Sequence, residues 1–205
     1  MRVGIFGGTF DPPHVGHQIL AEEAADQMGL DLVLWILTPY PPHKTSKKIS
    51  PVHDRMSMVL LAIAGNAGFN LSRVDIDRPP PHYAADTVQL LREKSPRDEF
   101  IYLMGADTLT DLQNWHEPKR FVSLCHGIAV MGRPGESTDF QTTGHEIPGL
   151  FDKVHLLKTP LIEVSGSEIR ERVAHGKPVR YFLPENVYHY ILNHKLYQNQ
   201  DSPAK

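Results

Sequence analysis

Two histidines lie three residues apart near the start of the chain, in the stretch GIFGGTFDPPHVGHQIL at residues 4–20. Gly7 and Gly8 precede them and allow the backbone to approach a ligand closely. His14 and His17 flank the start of a predicted helix, where unpaired N–H groups and the helix dipole attract an anion. The alternative is a tight strand–helix turn capped by His14. The pair of histidines favours a phosphate-binding site with two imidazole donors.

A second candidate is Lys44, which ends the motif PPHK at Pro41–Lys44. Its flexible ammonium group can reach a phosphate or a carboxylate. Judged from these residues alone, a solvated basic loop is an equally good interpretation, because Lys47 and Lys48 follow closely.

The third candidate segment is MGADTLTDLQNW, residues 104–115, which we interpret as a loop after a strand. Gly105 permits close approach of the backbone, and Asp107 suits the hydroxyl groups of a ribose. Trp115 offers a flat face to an aromatic ring, although a tryptophan taken alone is more often a packing residue.

The fourth candidate segment is VSGSEIRERV, residues 164–173. Ser165 and Ser167 are natural residues for the start of a helix, and Arg170 falls in the first turn. Without further context, this pattern is more typical of a capped helix with a charged surface than of a binding site.

Short apolar runs alternate along the chain with stretches of helical periodicity, which predicts strands and helices in turn. The predicted strands are Val3–Phe6, Leu32–Leu37, Asn70–Ile76, Phe100–Met104, Ile128–Met131, Val154–Leu157 and Leu161–Glu163. The predicted helices are Val15–Met28, His53–Ala64, Tyr83–Lys94, Glu117–Cys125, Ser167–Ala174 and Pro184–His194.

This alternation predicts an α/β fold, a Rossmann-like open parallel sheet with helices on both faces. Ligands of such sheets bind beyond the carboxyl ends of the strands, at the topological switch point. The four candidate segments are therefore expected at one edge of the sheet. We expect a single domain over residues 1–205, with a surface loop at 133–150 and a disordered tail from about residue 197.

Composition argues against several classes of protein. The formal net charge of −3 disfavours a nucleic-acid binder, and no apolar stretch approaches the roughly 20 residues that cross a bilayer. The single cysteine, Cys125, allows no intrachain disulfide and suits a reducing compartment. The 12 histidines form no cluster with zinc spacing. We expect a cytoplasmic protein without nucleic acid, membrane or protein-held metal, and a homo-oligomer stays open.

The sequence GGTFDPPHVGH resembles the GGTFDPxHxGH signature of the nucleotidyltransferases with an HxGH motif. The resemblance implies the Rossmann-like fold of that superfamily. It also implies that His14 and His17 hold the triphosphate of ATP and stabilise charge as the α-phosphate is attacked. The further residues that it assigns to ATP in this stretch are Gly7, Gly8, Thr9 and Phe10.

Three further features resemble one subfamily, the nicotinate-nucleotide adenylyltransferases: PPHK, the pair Asp54–Arg55, and Gly-Ala-Asp followed by Trp115. The resemblance implies adenylyl transfer from ATP to nicotinate mononucleotide in NAD biosynthesis, which gives deamido-NAD and pyrophosphate. ATP and nicotinate mononucleotide are the implied substrates, and Mg²⁺ is expected to accompany ATP.

The segment VSGSEIR is similar to a second signature of these enzymes, ISSTxIR. With it, the resemblance assigns four catalytic residues, His14, His17, Lys44 and Arg170. The further ATP-binding residues that it implies are Gly105, Asp107, Ser165 and Ser167. The implied nicotinate-nucleotide residues are Thr9, Lys44, Tyr83, Ala84, Asp107 and Trp115.

The sequence departs from the subfamily pattern at two positions. Gly166 replaces the second serine of ISSTxIR, and Ala84 replaces the first threonine of a Ser-Tyr-Thr-x-x-Thr run, here HYAADT. Ala84 brings no hydroxyl group to the pyridine carboxylate, so nicotinamide mononucleotide is a competing candidate for the substrate. The chain could also be a pantetheine-phosphate adenylyltransferase or a non-catalytic nucleotide sensor on the same fold.

Overall fold

Parallel strands alternate with helices along the chain, and the computed structural model describes residues 1–41, 49–132, 147–160 and 162–198. Within these residues the strands are β1 (Arg2–Gly8), β2 (Leu32–Leu37), β3 (Phe69–Ser72), β4 (Glu99–Gly105), β5 (Gly127–Met131) and β6 (Val154–Leu157). Neighbouring strands all pair in parallel, in the order β3-β2-β1-β4-β5-β6. The predicted open parallel sheet is confirmed.

The described helices are α1 (Val15–Met28), α2 (Val52–Ile63), α3 (Ala84–Lys94), α4 (Ala106–Thr110), α5 (Pro118–Leu124), α6 (Leu150–Lys153), α7 (Gly166–Ala174) and α8 (Glu185–Asn193). Two single 3₁₀ turns lie at Leu112–Asn114 and Arg180–Phe182. Gly29 ends α1 with a φ of 58°, a left-handed conformation that suits glycine, as its position in the sequence predicted.

Each face of the sheet has its own apolar cluster, because successive strand residues point to opposite faces. Ile5 and Phe100 belong to the cluster that α3 and α5 cover. Val33 and Ile101 belong to the cluster that α1 and α2 cover. A third cluster joins α2, α7 and α8, which fixes the carboxyl-terminal helices beside the main sheet.

Two strand predictions are wrong. The third strand ends at Ser72 rather than Ile76, and residues 74–77 form a turn. The turn buries Asp75, whose Oδ1 accepts hydrogen bonds from Arg78 Nε at 2.9 Å and from the Thr87 hydroxyl at 2.8 Å. After β6, Ile162 and Glu163 lie in no strand, and Leu161 is outside the described residues. Pro160 directly precedes this segment and has no N–H group for a sheet ladder.

Two short helices were missed. The segment at residues 104–115, interpreted as a loop, contains α4 and the first 3₁₀ turn. Ala106, Leu109 and Leu112 anchor the two short helical stretches in the core, which is too short a pattern for helical periodicity to register. The helix α6 begins at Leu150, the last residue of the expected loop at 133–150, and residues 133–146 of that loop are outside the described part of the chain.

The tail was expected to be disordered from about residue 197. Tyr197 is described and hydrogen-bonds to Asp11, whereas residues 199–205 lie outside the described structure. Among the described residues, no helix combines the length and the apolar character that crossing a bilayer requires.

Candidate active site

A cavity of about 590 Å³ opens at the carboxyl ends of β1 and β4, where the order of the strands reverses. This is the switch point at which open α/β sheets bind ligands. The predicted site residues that line it are Gly7, Gly8, Thr9, His14, His17, Tyr83, Ala84, Gly105, Asp107 and Trp115. All four candidate segments thus contribute to a single cavity, the second through Pro41 and the fourth through Val164.

The rings of the two histidines lie close together in this cavity, with centroids 3.7 Å apart and ring planes inclined by 31°. The backbone N–H of His14, the residue before α1, donates to Nδ1 of His17 at 3.1 Å. Because Nδ1 accepts this bond, a neutral His17 ring carries its proton on Nε2. The geometry makes Nε2–H of His17 a hydrogen-bond donor, the property that phosphate recognition requires.

His14 is the more deeply buried of the two histidines, at 7% exposure. Desolvation lowers its pKa to about 4, so the ring is neutral near pH 7. Its Nδ1 atom is buried and has no hydrogen-bond partner among the described residues. Gly16 lets the ring fold back on the helix, because a Cβ atom there would lie 3.2 Å from Nδ1.

The floor of the cavity is made by the glycines that end β1. A Cβ atom on Gly7 would lie 2.8 Å from the hydroxyl of Tyr102, and one on Gly8 would lie 2.8 Å from the ring of Phe10. Tyr102 therefore closes the space beneath the first glycine. Larger residues cannot replace either glycine without displacing an aromatic side chain.

The structure places the side chain of Phe10 in the core, where it is 2% exposed and does not line the cavity. Its φ of 47° is unusual for a residue with a Cβ atom. The ring packs 5.1 Å from the centroids of both Trp35 and His17. The ring of Phe10 thus packs against His17 and does not line the cavity, so the side chain supports the histidine pair.

The helix α7 begins beside the same loop. The hydroxyl of Ser165 accepts the N–H of Glu168 at 3.1 Å, so the predicted helix cap is confirmed. Arg170 Nη1 donates to the carbonyl of Asp11 at 2.6 Å, and its Nη2 donates to the Ser167 hydroxyl at 3.2 Å. Arg170 and Ser167 therefore adjoin the β1–α1 loop but do not line the main cavity.

A second cavity, of about 420 Å³, continues from the first toward α7. Gly105 and Asp107 line both cavities, and Ser165 and Glu168 line only the second. Together, the two cavities extend from the histidine pair to the start of α7. Lys44, the remaining predicted site residue, lies outside the described residues together with the rest of 42–48.

Arg55 is a structural contributor to the site whose role sequence reasoning did not find. It is 1% exposed, and its guanidinium donates to four backbone carbonyls. Nε bonds to the carbonyl of Ser50 at 2.8 Å, and Nη2 bonds to that of Pro39 at 2.7 Å. Nη1 bonds to the carbonyls of Thr9 at 3.0 Å and Thr38 at 2.9 Å. One side chain therefore joins the loops that follow β1 and β2.

His82 is the second residue that sequence reasoning did not assign to the site. It lines the main cavity, is 5% exposed, and has no hydrogen-bond partner for either ring nitrogen among the described residues. Burial lowers its pKa. Beyond it, His116 stacks on Tyr83 with the centroids 3.9 Å apart. The sequence could have indicated His82 by its position directly before the Tyr83 helix, in a segment already assigned to the site.

Curated relatives match almost the whole chain. A protein of Thermomicrobium roseum named "Probable nicotinate-nucleotide adenylyltransferase" is 44% identical over 202 residues, which cover 98% of this chain and 94% of the relative. A protein of Rubrobacter xylanophilus with the same name is 41% identical over 201 residues, 97% of this chain and 92% of the relative. The sequence profile of the cytidylyltransferase-like family matches residues 5–172.

The chain belongs to the nicotinate-nucleotide adenylyltransferases of the cytidylyltransferase-like family. The resemblance drawn from the GGTFDPPHVGH and PPHK motifs is thereby confirmed.

Solved structures agree on the fold of this adenylyltransferase family member. A Plasmodium falciparum nicotinic acid mononucleotide adenylyltransferase complexed with NaAD superposes with a TM-score of 0.79 at 18% identity, over 96% of this chain and 97% of that one. A Vibrio parahaemolyticus protein described as a "Putative Nicotinate-nucleotide Adenylyltransferase" gives a TM-score of 0.68 at 17% identity, over 98% of both chains. At these identities the likeness establishes the Rossmann-like architecture.

Burial of His14 predicts a dependence of stability on pH. Its pKa is about 4 in the folded protein and about 6.5 in the unfolded chain. Because the unfolded state takes up the proton first, the free energy of unfolding is expected to fall as the pH drops from 6.5 toward 4. From pH 6.5 to pH 5, the contribution of this residue is a loss of about 1.6 kcal/mol.

Urea unfolding of the wild type and the His14→Gln variant across this pH range measures the effect. The variant should lose less stability on acidification, whereas His82 and His126, whose pKa values burial also lowers, act equally in both proteins. Parallel stability curves for the two proteins would contradict the assignment.

Proposed function

We propose that the protein transfers the adenylyl group of ATP to nicotinate mononucleotide and releases deamido-NAD and pyrophosphate. The observation that carries the proposal is the composition of the main cavity. It has a close histidine pair at the mouth of α1 and an aromatic region with Tyr83 and Trp115. The histidine pair thus suits a polyphosphate, and the aromatic region suits a pyridine ring. Membership of the adenylyltransferase family supports this assignment of the two regions of the cavity.

In the proposed reaction, a phosphate oxygen of nicotinate mononucleotide attacks the α-phosphorus of ATP. The new P–O bond forms as the bond to the β-phosphate oxygen breaks, and pyrophosphate leaves with the electron pair. Such a transfer needs positioning and charge stabilisation more than covalent chemistry from the protein. The cavity satisfies this need, because its β1 glycines expose bare backbone beside two imidazoles.

Three groups are proposed to stabilise the charge that develops on the phosphates. His17 donates from Nε2–H, since its Nδ1 is engaged by the His14 backbone. His14 is neutral in the empty site, and a bound polyanion favours its protonated form. Arg170 is held next to the loop by the Asp11 carbonyl and brings a permanent positive charge. Lys44 keeps its proposed role as a fourth donor from the PPHK segment.

Recognition of the pyridine carboxylate is proposed to run through the start of α3. Ala84 lines the cavity in the first turn, and among the described residues no side chain caps this end of the helix. The first backbone N–H groups of a helix lack partners within the helix, and its dipole favours a negative ligand. A carboxylate therefore gains more here than a neutral amide, even though Ala84 has no hydroxyl group.

Mg²⁺ is proposed to enter with ATP. Among the described residues, no group of three His, Cys, Asp or Glu side chains could hold a metal ion. The phosphates of ATP and water would therefore supply most of its ligands, and the ion would offset phosphate charge when bound. A cytoplasmic location is part of the same proposal, supported by the single buried cysteine, Cys125.

A comparison of three acceptors, each assayed separately, tests the proposed function. The purified protein is incubated with ATP, Mg²⁺ and one acceptor: nicotinate mononucleotide, nicotinamide mononucleotide or phosphopantetheine. We expect pyrophosphate release with nicotinate mononucleotide, and a kcat/KM at least about fivefold higher than with the amide, since a charge at a helix start gains about 1 kcal/mol.

Each competing activity has its own outcome in this experiment. A preference for the amide would assign the nicotinamide-mononucleotide activity, and product from phosphopantetheine would assign the pantetheine-phosphate activity. Binding of ATP without pyrophosphate release from any acceptor would indicate the nucleotide sensor.

A further inference from the structure

The carboxyl-terminal segment makes a direct contact with the loop that carries the histidine motif. After α8, the hydroxyl of Tyr197 donates to Oδ1 of Asp11 at 2.7 Å, across a separation of 186 residues. Asp11 is 5% exposed and lies between the β1 glycines and His14. The end of the chain is thus attached to the proposed phosphate-binding loop, although no motif of the sequence suggests it.

Asp11 collects bonds from three distant parts of the chain through different atoms. Its Oδ1 accepts the phenol of Tyr197, and its Oδ2 accepts the backbone N–H of Ser50 at 3.2 Å. Its backbone carbonyl accepts Arg170 Nη1 at 2.6 Å. The position of one residue therefore couples the end of the chain, the approach to α2 and the arginine of α7.

The carbonyl of Asp11 is also confined sterically. A Cβ atom on Gly166 would lie 3.0 Å from this oxygen and 3.6 Å from Nη1 of Arg170. The glycine that departs from the ISSTxIR pattern thus allows α7 to approach the loop closely. With so little space, a shift of the Asp11 backbone must also move the Arg170 side chain.

We propose that Tyr197 is a positioning residue for phosphate binding: its phenol fixes Asp11, and the Asp11 carbonyl fixes Arg170 beside the triphosphate. The inference rests on the proposed function for its substrate, ATP. Tyr197 touches no proposed substrate atom and acts only through these two residues.

The chemistry of the contact fits this role. Burial and the neighbouring Asp11 carboxylate raise the pKa of Tyr197, so the phenol stays protonated and donates at neutral pH. Because the carboxylate is buried, loss of the hydroxyl would leave Oδ1 without its donor. The loop could then regain a partner for that oxygen only by moving, and Arg170 would move with it.

The Tyr197→Phe variant tests the proposal because it keeps the ring and removes only the donor. We expect the KM for ATP to rise and kcat/KM for ATP to fall roughly tenfold, the size of the effect of one lost bond to a buried charged group. The KM for nicotinate mononucleotide should change less than twofold. Hydrogen exchange should become faster in the backbone segment at residues 9–17.

Tyr190→Phe is the matched control. The hydroxyl of Tyr190, on α8, donates to Oδ1 of Asp54 at 2.9 Å, so this variant also removes one phenol-to-carboxylate bond at the carboxyl-terminal region. It does not touch the loop. We expect a similar loss of thermal stability, a change in kcat/KM for ATP of less than twofold, and unchanged exchange at residues 9–17.

Equal effects of the two variants on ATP kinetics and on exchange would overturn the proposal, as would a tenfold loss of activity without faster exchange in the loop. Failure of the proposed function is a separate result. If the wild type releases no pyrophosphate, the Tyr197→Phe and Tyr190→Phe variants can still be compared. The two measurements are then hydrogen exchange at residues 9–17 and the affinity for a non-hydrolysable ATP analogue.

Discussion

Replacing His17 with Ala is expected to lower kcat for adenylyl transfer by roughly 10²–10³-fold, the scale for loss of one preorganised donor to a developing negative charge. The tautomer of the ring gives the reason. Its Nδ1 accepts the backbone N–H of His14, which leaves the proton on Nε2. Alanine removes that donor and exposes the ring of Phe10 beneath it, whose centroid lies 5.1 Å from that of His17.

Steady-state kinetics with saturating nicotinate mononucleotide measure this effect. The control is His189→Ala, a substitution of an exposed histidine on α8 whose side chain pairs with Glu185. It should leave kcat within twofold of the wild type. Urea unfolding of both variants shows whether folding contributes to the difference. A near-wild-type kcat for His17→Ala would remove His17 from the mechanism.

Replacing Arg55 with Leu is expected to lower the free energy of unfolding by about 3–5 kcal/mol, the cost of removing one partner from a buried charged network. The leucine would leave the carbonyls of Thr9, Thr38, Pro39 and Ser50 without the donor that now serves them. Asp11 would also lose a neighbouring cation. In the wild type, burial lowers the pKa of Arg55, and the Asp11 carboxylate opposes this lowering. Chemical denaturation measures the loss.

Two companion variants separate the loss of the buried hydrogen bonds from the loss of positive charge. Arg73→Leu removes an arginine whose side chain is 53% exposed and pairs with Asp77 on the surface, and it should cost less than about 1 kcal/mol. Arg55→Lys keeps the charge but loses the planar fork that serves several carbonyls, and its stability should fall between those of the wild type and Arg55→Leu. Equal stabilities for the Arg55→Leu and Arg73→Leu variants would contradict the role assigned to Arg55.

These residues together explain how the loop between β1 and α1 is held in place. Arg55 bonds to the carbonyl of Thr9 from the side of α2. Arg170 bonds to the carbonyl of Asp11 from α7, and Tyr197 bonds to the carboxylate of the same residue. The loop presents its histidines to the cavity because three distant elements bind its backbone and its one buried carboxylate.

The features of the histidine motif that depend on contacts between near neighbours in the chain were predictable from the sequence. The bond from His14 to His17 spans three residues, and Gly16 between them makes room for the His14 ring. The strand that precedes the motif and the helix that follows it were also predicted, since each has its own apolar periodicity. Weak periodicity explains the failures: α4 is five residues long, and the turn at 74–77 depends on the buried Asp75.

The sequence by itself thus determined the alternating parallel architecture, the family, and four segments that the structure gathers around one cavity. The tertiary structure alone decided that Phe10 faces the core, that His82 lines the cavity, and that Arg55 and Tyr197 hold the loop. The physical reason is separation along the chain. Arg55 and Tyr197 reach partners 46 and 186 residues away, and such pairings form only when the packed helices bring them together.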